Sequence, residues 1–386
     1  MSKIRLVDKI LIFEMNSLNK LSLLIIGILI SVSSYAQTKF VNEFLNIGVG
    51  ARSHAMFQAQ VASTNDVTSA FWNPAGLSGI VDAPLQVSAM HAEWFGGVAN
   101  YDYLGVAKQI NEEKNSYAAI SLVRMGIDNI PYTLNLIGPD GSVNYDNVTD
   151  FSSADYAFFG SYGQKIGDYL RVGGSAKVIY RTIGRFANAW GFGLDAGIQY
   201  QRPRFSFGVV GKDITTTYNS WSFNFTEEEK QVFAATGNSI PVTSSEIALP
   251  RVVLGFAFHS DREDYTSKFS YLVEANFNLN TDGRASGIIN TDRFAVEPAI
   301  GGEFGYNQMV YLRAGVGNMQ RLVNDFNAQT RSLSVTPSVG LGLKLNRFKI
   351  DYALNNIGTQ SSDTGALYSH IFSLTIDFVP QTRLIQ

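Results

Sequence analysis

The chain contains no cysteine among its 386 residues, and charged residues make up only 16% of it. The absence of cysteine excludes a disulfide scaffold, a thiolate metal site, a thiol nucleophile and a lipid-bearing cysteine. A soluble globular domain carries about 25% charged residues, so the low charge content points away from that class. The net charge of −3 argues against nucleic acid as a partner.

Long hydrophobic runs are also missing. The longest is Leu21–Val32, which is shorter than the roughly 20 residues that a membrane-spanning helix needs. Basic residues precede this run and Ser34–Ala36 follows it, which predicts a signal peptide over residues 1–36. A membrane anchor is the alternative, but it requires a longer apolar stretch. Met15 is a second candidate start, because it would give a signal peptide of normal length.

Glycine and aromatic residues are abundant: the chain has 35 glycines, 26 phenylalanines and 18 tyrosines. Apolar residues alternate with polar or small ones along Leu170–Thr182, where Ile179 is the exception, and again along Trp190–Gln201. A period of two is typical of β-strands with one apolar face. These segments are about ten residues long, as a tilted strand that crosses a bilayer must be, whereas strands of a sandwich average five or six residues.

About fourteen such segments lie between residues 84 and 378, and short connections alternate with long ones such as 126–153 and 214–249. Short turns at one end and long loops at the other are typical of transmembrane barrels. The last segment alternates and ends in the aromatic Phe378, which resembles the insertion signature of such barrels. We therefore predict an all-β fold, a transmembrane antiparallel β-barrel over residues 84–378 with a tail at 379–386.

Residues 37–83 do not show the alternation. They include a run from Gly48 to Arg52 and, further on, the motif residues Trp72, Asn73, Pro74, Ala75, Gly76 and Leu77. The lumen of a fourteen-strand barrel is too wide for wall side chains alone to fill. We therefore expect this segment to be a plug, with a disordered leader as the less favoured alternative.

The run Gly48–Arg52 followed by Trp72–Leu77 resembles the N-terminal signature of the PorV/PorQ family, which is related to the FadL-type channels. The chain departs from the usual family pattern at Ser53–Gln58, where a Gly-Met-Gly-Gly run is expected. The resemblance implies a non-enzymatic protein of the Gram-negative outer membrane, surrounded by its lipid. It further implies a docking role in type IX secretion, with a protein translocon or a secreted cargo domain as partner. The FadL relatives imply the alternative, a transporter of hydrophobic small molecules that holds a lipid or detergent-like ligand.

The long connection 214–249 is the best candidate for partner binding. Trp221, Phe223 and Phe225 alternate in it, and Thr226 with Glu229 forms a capping box for a short helix. Exposed aromatic residues are typical anchors of protein interfaces, so we expect these three to be exposed. The alternative is that they fold inward as a lid or stand in the upper aromatic girdle. The apolar connection 126–153 adds two further candidates, Tyr132 and Leu134.

Residues for catalysis or metal binding are scarce, and we expect no catalytic residue, no metal and no cofactor. The four histidines have no zinc-binding spacing. We expect His91 and His370 to lie close together near the extracellular rim, both on the outward face. A lipid A esterase would use a histidine on that face, but it would also need a serine there. The charged residues expected to face the lumen have mixed signs, which favours pairing with one another: Arg171, Lys177, Arg181, Asp195, Glu274, Glu297, Glu303, Arg313, Lys344 and Asp351.

Overall fold

The computed structural model describes residues 41–379, apart from 82, 137–141, 236, 238, 240–242, 262–266, 282–288, 292–293, 325–326 and 357–367. The predicted signal peptide, the first residues of the predicted plug and most of the predicted tail lie outside the described residues. No helix in the described part of the chain is long and apolar enough to cross a membrane.

Strands make up most of the described chain. They are β1 (Leu85–Trp94), β2 (Ala99–Asn111), β3 (Ser116–Tyr132), β4 (Thr149–Ile166), β5 (Leu170–Ile183), β6 (Ala187–Gln201), β7 (Phe205–Lys212), β8 (Thr217–Phe223), β9 (Thr243–Ala248), β10 (Arg251–His259), β11 (Phe269–Asn280), β12 (Ile289–Asn290), β13 (Ala295–Tyr306), β14 (Val310–Asn324), β15 (Asn327–Leu345), β16 (Phe348–Asn356) and β17 (Tyr368–Phe378).

Helices are few and short. They are α1 (Ala51–Ala55), α2 (Ser69–Trp72) and α3 (Glu227–Ala235), together with 3-10 helices at Glu43–Asn46, Pro74–Gly79 and Tyr145–Asn147.

The strands close into an antiparallel barrel. β1 pairs with β2 on one side and with β17 on the other, where Leu85 lies opposite Phe378 and Ala92 opposite Ile371. β7 and β8 both pair with β6, one after the other along its length, so together they fill one strand position of the barrel. β9 pairs with β8 and β10 pairs with β7, so these two fill the next position. The four strands therefore count as two. With the two-residue β12 set aside, the described strands form the closed fourteen-strand barrel that the alternation predicts. Closure gives the backbone groups partners without water, as lipid requires.

The outer surface of the barrel is apolar. Along β6, the outward residues Trp190, Phe192 and Ile198 are each at least half exposed, whereas the intervening residues Gly191 and Gly193 are buried on the lumen side. Successive side chains of a strand point to opposite faces, so the period of two in the sequence separates a lipid face from a lumen face.

The strands extend further at one end than the sequence indicates. The short turns at 167–169, 202–204 and 307–309 lie at one end of the barrel, which we name the periplasmic end by the usual orientation of such barrels. At the opposite, extracellular end, β3 and β4 shorten the expected connection 126–153 to 133–148, and β8 and β9 shorten 214–249 to 224–242.

Candidate functional site

The lumen is occupied by residues 41–81 and Ala83, which we name the interior segment. α1 contacts β14 to β17, and the 3-10 helix Pro74–Gly79 contacts β3 to β6 on the other side of the barrel. Val49, Ala55 and Leu77 have no exposed surface. The site is therefore built between this segment and the inner wall of the barrel.

Trp72 packs directly against the backbone of the interior segment at Gly48. Its indole N–H donates a hydrogen bond to the carbonyl oxygen of Val49 at 2.8 Å. Gly48 has a φ of 86°, and a Cβ atom there would lie 2.5 Å from the Trp72 ring. The backbone can pass directly beneath the indole only because residue 48 has no side chain and tolerates positive φ.

Asn73 joins three parts of the molecule. Its amide Nδ2 donates to the carbonyl oxygens of Val61, at 3.0 Å, and of Ile198 in β6, at 3.2 Å. Its Oδ1 accepts the backbone N–H of Ala75 at 3.2 Å and so caps the 3-10 helix that begins at Pro74. The Asn-Pro pair thus ends α2, starts the next helix and attaches both to the wall.

Glycines in the wall make room for this motif. A Cβ atom at Gly163 of β4 or at Gly173 of β5 would overlap the carbonyl group of Pro74, and one at Gly197 of β6 would overlap Oδ1 of Asn73. On the inward face of β6, Gly197 therefore leaves room for the interior segment, whereas Gly191 and Gly193 leave room for the wall side chains of Asn219 and Thr217.

Buried ion pairs connect the interior segment to the wall. Arg52 in α1 contacts Glu303 of β13 at 2.9 Å, and Arg313 of β14 contacts the same carboxylate at 2.6 Å. Arg313 also contacts Asp351 of β16 at 2.6 Å. One partner lost from such a buried chain leaves an uncompensated charge, which is strongly unfavourable.

A second ion cluster lies where β7 ends. Nζ of Lys177 contacts Asp195 at 2.8 Å and Asp213 at 2.7 Å, and the backbone N–H of Asp213 donates to Asp195 at 2.8 Å. Lys177 and Asp195 belong to the predicted lumen-facing charges and are almost fully buried. Asp213 adopts a φ of 55° in the break between β7 and β8; it was not among the residues that sequence reasoning selected, because the break removes it from the alternation.

The extracellular half of the lumen is apolar. The residues that pack together there come from the interior segment and from the inward faces of β1 to β5, β16 and β17. They include Phe44, Leu45, Val49, Phe71, Trp72, Met90, Trp94, Tyr101, Tyr103, Val123, Phe159, Ile179 and Ile371. The lumen thus has a charged middle and an aromatic and aliphatic layer on its extracellular side, beyond which Arg181 pairs with Asp155 and Glu246.

Two cavities border the interior segment. The larger, which we name the periplasmic vestibule, has a volume of about 610 Å³ and is lined by Arg52, Asp66, Glu303, Arg313, Lys344 and Asp351 among others. The smaller, which we name the inner pocket, has a volume of about 140 Å³ and includes Leu45, Val61, Trp72, Lys212, Arg251 and Glu297 in its lining.

The predicted partner-binding residues form a packed cap at the extracellular end. Trp221 and Phe223 lie in β8, and the rings of Trp221, Phe223 and Phe225 stack in succession, with centroids 6.3 Å and 6.1 Å apart. Phe225 continues the stack onto Phe186, which itself stacks on Tyr132 at 5.4 Å. We name these five rings, together with α3, the extracellular cap.

Glu229 anchors α3 to the rest of the cap. The backbone N–H of Thr226 donates to the Glu229 carboxylate at 2.8 Å, and the backbone N–H of Glu229 donates to the Thr226 hydroxyl at 3.3 Å, so the predicted capping box is present. Tyr132 and Arg185 donate to the same carboxylate at 2.6 Å and 2.5 Å. Burial alone would raise the pKa of Glu229, but the hydrogen bonds from Tyr132, Thr226 and Arg185 outweigh it and hold the pKa below its ordinary value.

The expected exposure of the partner-binding residues is wrong. Trp221 and Tyr132 are buried, and Phe223, Phe225 and Leu134 are half buried. The connection around Trp221 is shorter than expected because its alternating residues pair with β6 as a strand instead of forming an open loop. A role for these five residues in partner binding stays a prediction.

The two histidines near the extracellular rim lie on the outward face and have separate partners. Nδ1 of His91 lies 2.7 Å from Asp102, and Nδ1 of His370 lies 2.8 Å from the Tyr352 hydroxyl. Ser88 and Ser369 are buried on the opposite, inward face, so neither can form the serine–histidine pair of an esterase with these rings. Across the described residues, no group of three or more histidine, aspartate or glutamate side chains is placed to hold a metal ion.

Comparison with known proteins gives matches among solved structures. No family model matches the chain, and no curated protein matches it. The CymD monoaromatic hydrocarbon channel is 13% identical, with a TM-score of 0.52, over 86% of this chain and 98% of CymD. The toluene transporter TbuX of Ralstonia pickettii is 12% identical, with a TM-score of 0.52, over 86% and 98% of the two chains. The toluene transporter TodX of P. putida is 12% identical, with a TM-score of 0.54, over 86% and 99%.

These neighbours support the FadL-like barrel that the sequence predicts, but they give no support to PorV or to type IX secretion. Translocon and cargo partners are likewise without support. The neighbours are channels and transporters, which is consistent with a protein that is not an enzyme. The chain shares the closed barrel fold of this hydrocarbon channel and these toluene transporters, a fold that suits the outer-membrane location expected from the sequence.

Proposed function

We propose that this protein is an outer-membrane channel for small hydrophobic molecules, which the sequence analysis treats as the alternative to a docking role. The neighbours CymD, TbuX and TodX are named as hydrocarbon channels or toluene transporters. Monoaromatic hydrocarbons are accordingly the substrate class to test first.

The observation that carries the proposal is the division of the lumen. The extracellular half is filled with aromatic and aliphatic side chains such as Trp94 and Tyr101, which are packed against one another, whereas the interior segment closes the middle with mostly buried ion pairs around Arg52. The free energy falls by about 25 cal/mol for each Å² of apolar surface that a molecule buries when it leaves water for such surroundings. Ions and sugars gain nothing from it and meet the interior segment instead.

An exit toward the membrane is offered by an opening in the strand pairing. β13 and β14 pair only from Ile300 opposite Val316 down to Tyr306 opposite Val310. Beyond that point β13 continues to Ala295 alongside β11, and β14 continues alongside β15, with no pairing between β13 and β14 among the described residues. β12 pairs with the free edge of β13 at Val296 and Ala295, so the unpaired edge of β13 is limited to residues 297–299. We name this opening the β13–β14 seam, and we infer that substrate leaves the lumen sideways through it.

The test is uptake by Gram-negative cells that produce the protein. Radiolabelled toluene should enter these cells faster than cells with an empty vector, while uptake of a small sugar stays unchanged. Ile179→Asn, which places an amide in the apolar half of the lumen, should slow toluene uptake severalfold. The matched control is Ile183→Asn, at the exposed extracellular end of the same strand, which should leave toluene uptake unchanged. Equal toluene uptake with and without the wild-type protein would overturn the proposal.

A further inference from the structure

The inner pocket contains a buried lysine that no carboxylate of the described residues contacts directly, although Asp195 and Asp213 attract it from a distance. Lys212, at the end of β7, is 7% exposed. Its Nζ lies 4.3 Å from the ring centroid of Phe71 and 5.0 Å from that of Trp72. Within the described part of the chain, no oxygen atom of a side chain or of the backbone forms a hydrogen bond or ion pair with Nζ of Lys212.

The neighbouring lysine shows that this arrangement is unusual for the molecule. Lys177 is buried to a similar degree, and two carboxylates, Asp195 and Asp213, lie within 2.8 Å of its Nζ. A buried cation without an opposite charge is strongly unfavourable, and it either loses its proton or acquires an anion. Lys212 lines a cavity, so an anion from outside the chain can reach it.

A second cation borders the same cavity. Arg251 of β10 lines the inner pocket and donates one hydrogen bond to the side-chain oxygen of Asn46 at 2.5 Å. Glu43 and Glu297 also line the pocket, so its two cations face two carboxylates, and both carboxylates have other partners. The ammonium of Lys212 is the group left for a ligand, and Arg251 adds positive potential beside it.

The remaining walls and the volume restrict what the anion can carry. Most of the lining is polar, but Leu45, Val61, Trp72 and Val253 give the pocket one apolar and aromatic side. Its volume is about 140 Å³, and a cavity of about 150 Å³ in another protein holds one benzene molecule. A single ring with a carboxylate fits this space, whereas a long alkyl chain does not.

We propose that the inner pocket binds a small aromatic monocarboxylate of the benzoate class. The carboxylate pairs with Lys212 and Arg251, and the ring lies against Trp72. The inference rests on the proposed function only in requiring that small molecules can enter the lumen. It adds a ligand class, aromatic acids, to the uncharged hydrocarbons of the neighbouring channels.

The test is the binding of sodium benzoate to the full-length barrel, purified in a non-ionic detergent and titrated calorimetrically. Lys212→Met removes the charge but keeps the length of the side chain, and should weaken benzoate binding at least tenfold. Lys212→Arg should restore most of it. Lys344→Met in the periplasmic vestibule is the matched control and should bind benzoate like the wild type.

Two further ligands define the class. Toluene has the ring without the carboxylate, so Lys212→Met should leave its binding unchanged. Acetate has the carboxylate without the ring and should bind at least tenfold more weakly than benzoate. Undetectable benzoate binding by the wild type, equal binding by Lys212→Met, or acetate binding as tight as benzoate binding would each overturn the proposal.

Photolabelling keeps the proposal testable if the variants fail to fold, which far-ultraviolet circular dichroism would reveal. Azidobenzoate irradiated with the wild-type barrel should label peptides that contain Trp72 or Lys212, and unlabelled benzoate should compete. Labelling confined to other peptides would overturn the inference. Toluene uptake by cells tests the proposed function separately, because it does not depend on Lys212.

Discussion

The inward face of β5 contains one apolar side chain between charged ones, and this is the residue that breaks the sequence pattern. Arg171 and Lys177 are charged and lie toward the periplasmic end and the middle. Ile179, on the same face, is fully buried in the apolar extracellular half. A strict alternation of apolar and polar residues requires a uniformly polar lumen, and Ile179 marks an apolar layer in it, beyond which Arg181 pairs with Asp155.

Single glycines in the wall determine how closely the interior segment packs. A Cβ atom at Gly173 would overlap the carbonyl carbon of Pro74 and come within 2.5 Å of the Ala75 nitrogen, and both are backbone atoms that cannot swing away. We expect Gly173→Ala to lower the free energy of unfolding by about 1–3 kcal/mol, as overpacked cores do. The midpoint of urea unfolding in detergent measures the change.

Gly160 in β4 provides the matched control for this substitution. A Cβ atom at Gly160 would meet nothing within 4 Å, so Gly160→Ala should stay within about 0.5 kcal/mol of the wild type. An equal loss of stability in both variants would show that the interior segment is not packed against Gly173.

At the scale of elements, the sequence predicts the strands well within the membrane and less well beyond it. The alternation of Trp221, Phe223 and Phe225 is visible in the sequence, yet the break at Asp213–Thr216 separates it from β7 and suggests a loop. Asp213 and Thr216 have positive φ angles of 55° and 58°. These angles end β7 and allow β8 to begin alongside the same neighbouring strand, β6. Local pattern cannot reveal a pairing that resumes after such a break.

The element α3 should respond to pH through Glu229. Because hydrogen bonds hold its pKa below the ordinary value of 4.5, the ionised carboxylate stabilises the docked helix above that pH. The stabilisation is lost as the pH falls through the lowered pKa of the folded state. We expect a spin label on Gln231→Cys, unique in a chain without cysteine, to be immobile at neutral pH and to become mobile at more acidic pH.

The control for this experiment removes the titrating group. Glu229→Gln cannot ionise and leaves Arg185 without its carboxylate partner, so the same spin label should already be mobile at neutral pH. Its spectrum should then change little on acidification. A label that stays immobile in Glu229→Gln would contradict the role of this carboxylate in holding α3.

The β13–β14 seam can be tested by closing it covalently. Counting on from the last pair, Ile300 and Val316, makes Pro298 and Asn318 the next two positions across the seam, and Asn318 lies there in a β-bulge with a φ of 49°. A disulfide between Pro298→Cys and Asn318→Cys should slow toluene uptake severalfold, and reduction should restore it. A disulfide between Phe304→Cys and Leu312→Cys, which are already paired, should have no effect. Unchanged uptake with the seam cross-linked would show that substrate leaves by another route.

At the scale of the whole molecule, composition and alternation predict a closed barrel because every strand must present one face to lipid. They say much less about residues 41–83. The positions of Trp72 and Asn73 depend on contacts with Val49, Val61 and Ile198, which lie up to 125 residues away along the chain. No periodicity encodes such contacts, and only the run of small residues and the Asn-Pro pair signal that this part of the chain folds compactly.

The interior segment gives the final prediction, because it determines whether the molecule is a selective channel or an open pore. A barrel of fourteen strands encloses a lumen that its own wall side chains do not fill. Here α1 and the helix Pro74–Gly79 occupy it, and Arg52 completes the charge network with Glu303. Deletion of residues 41–83 should therefore produce stepwise ion currents in planar bilayers, whereas the full-length protein prepared in the same way should give none. A deleted barrel that is folded and still silent, or a full-length barrel that already conducts, would mean that the interior segment is not what closes the lumen to ions.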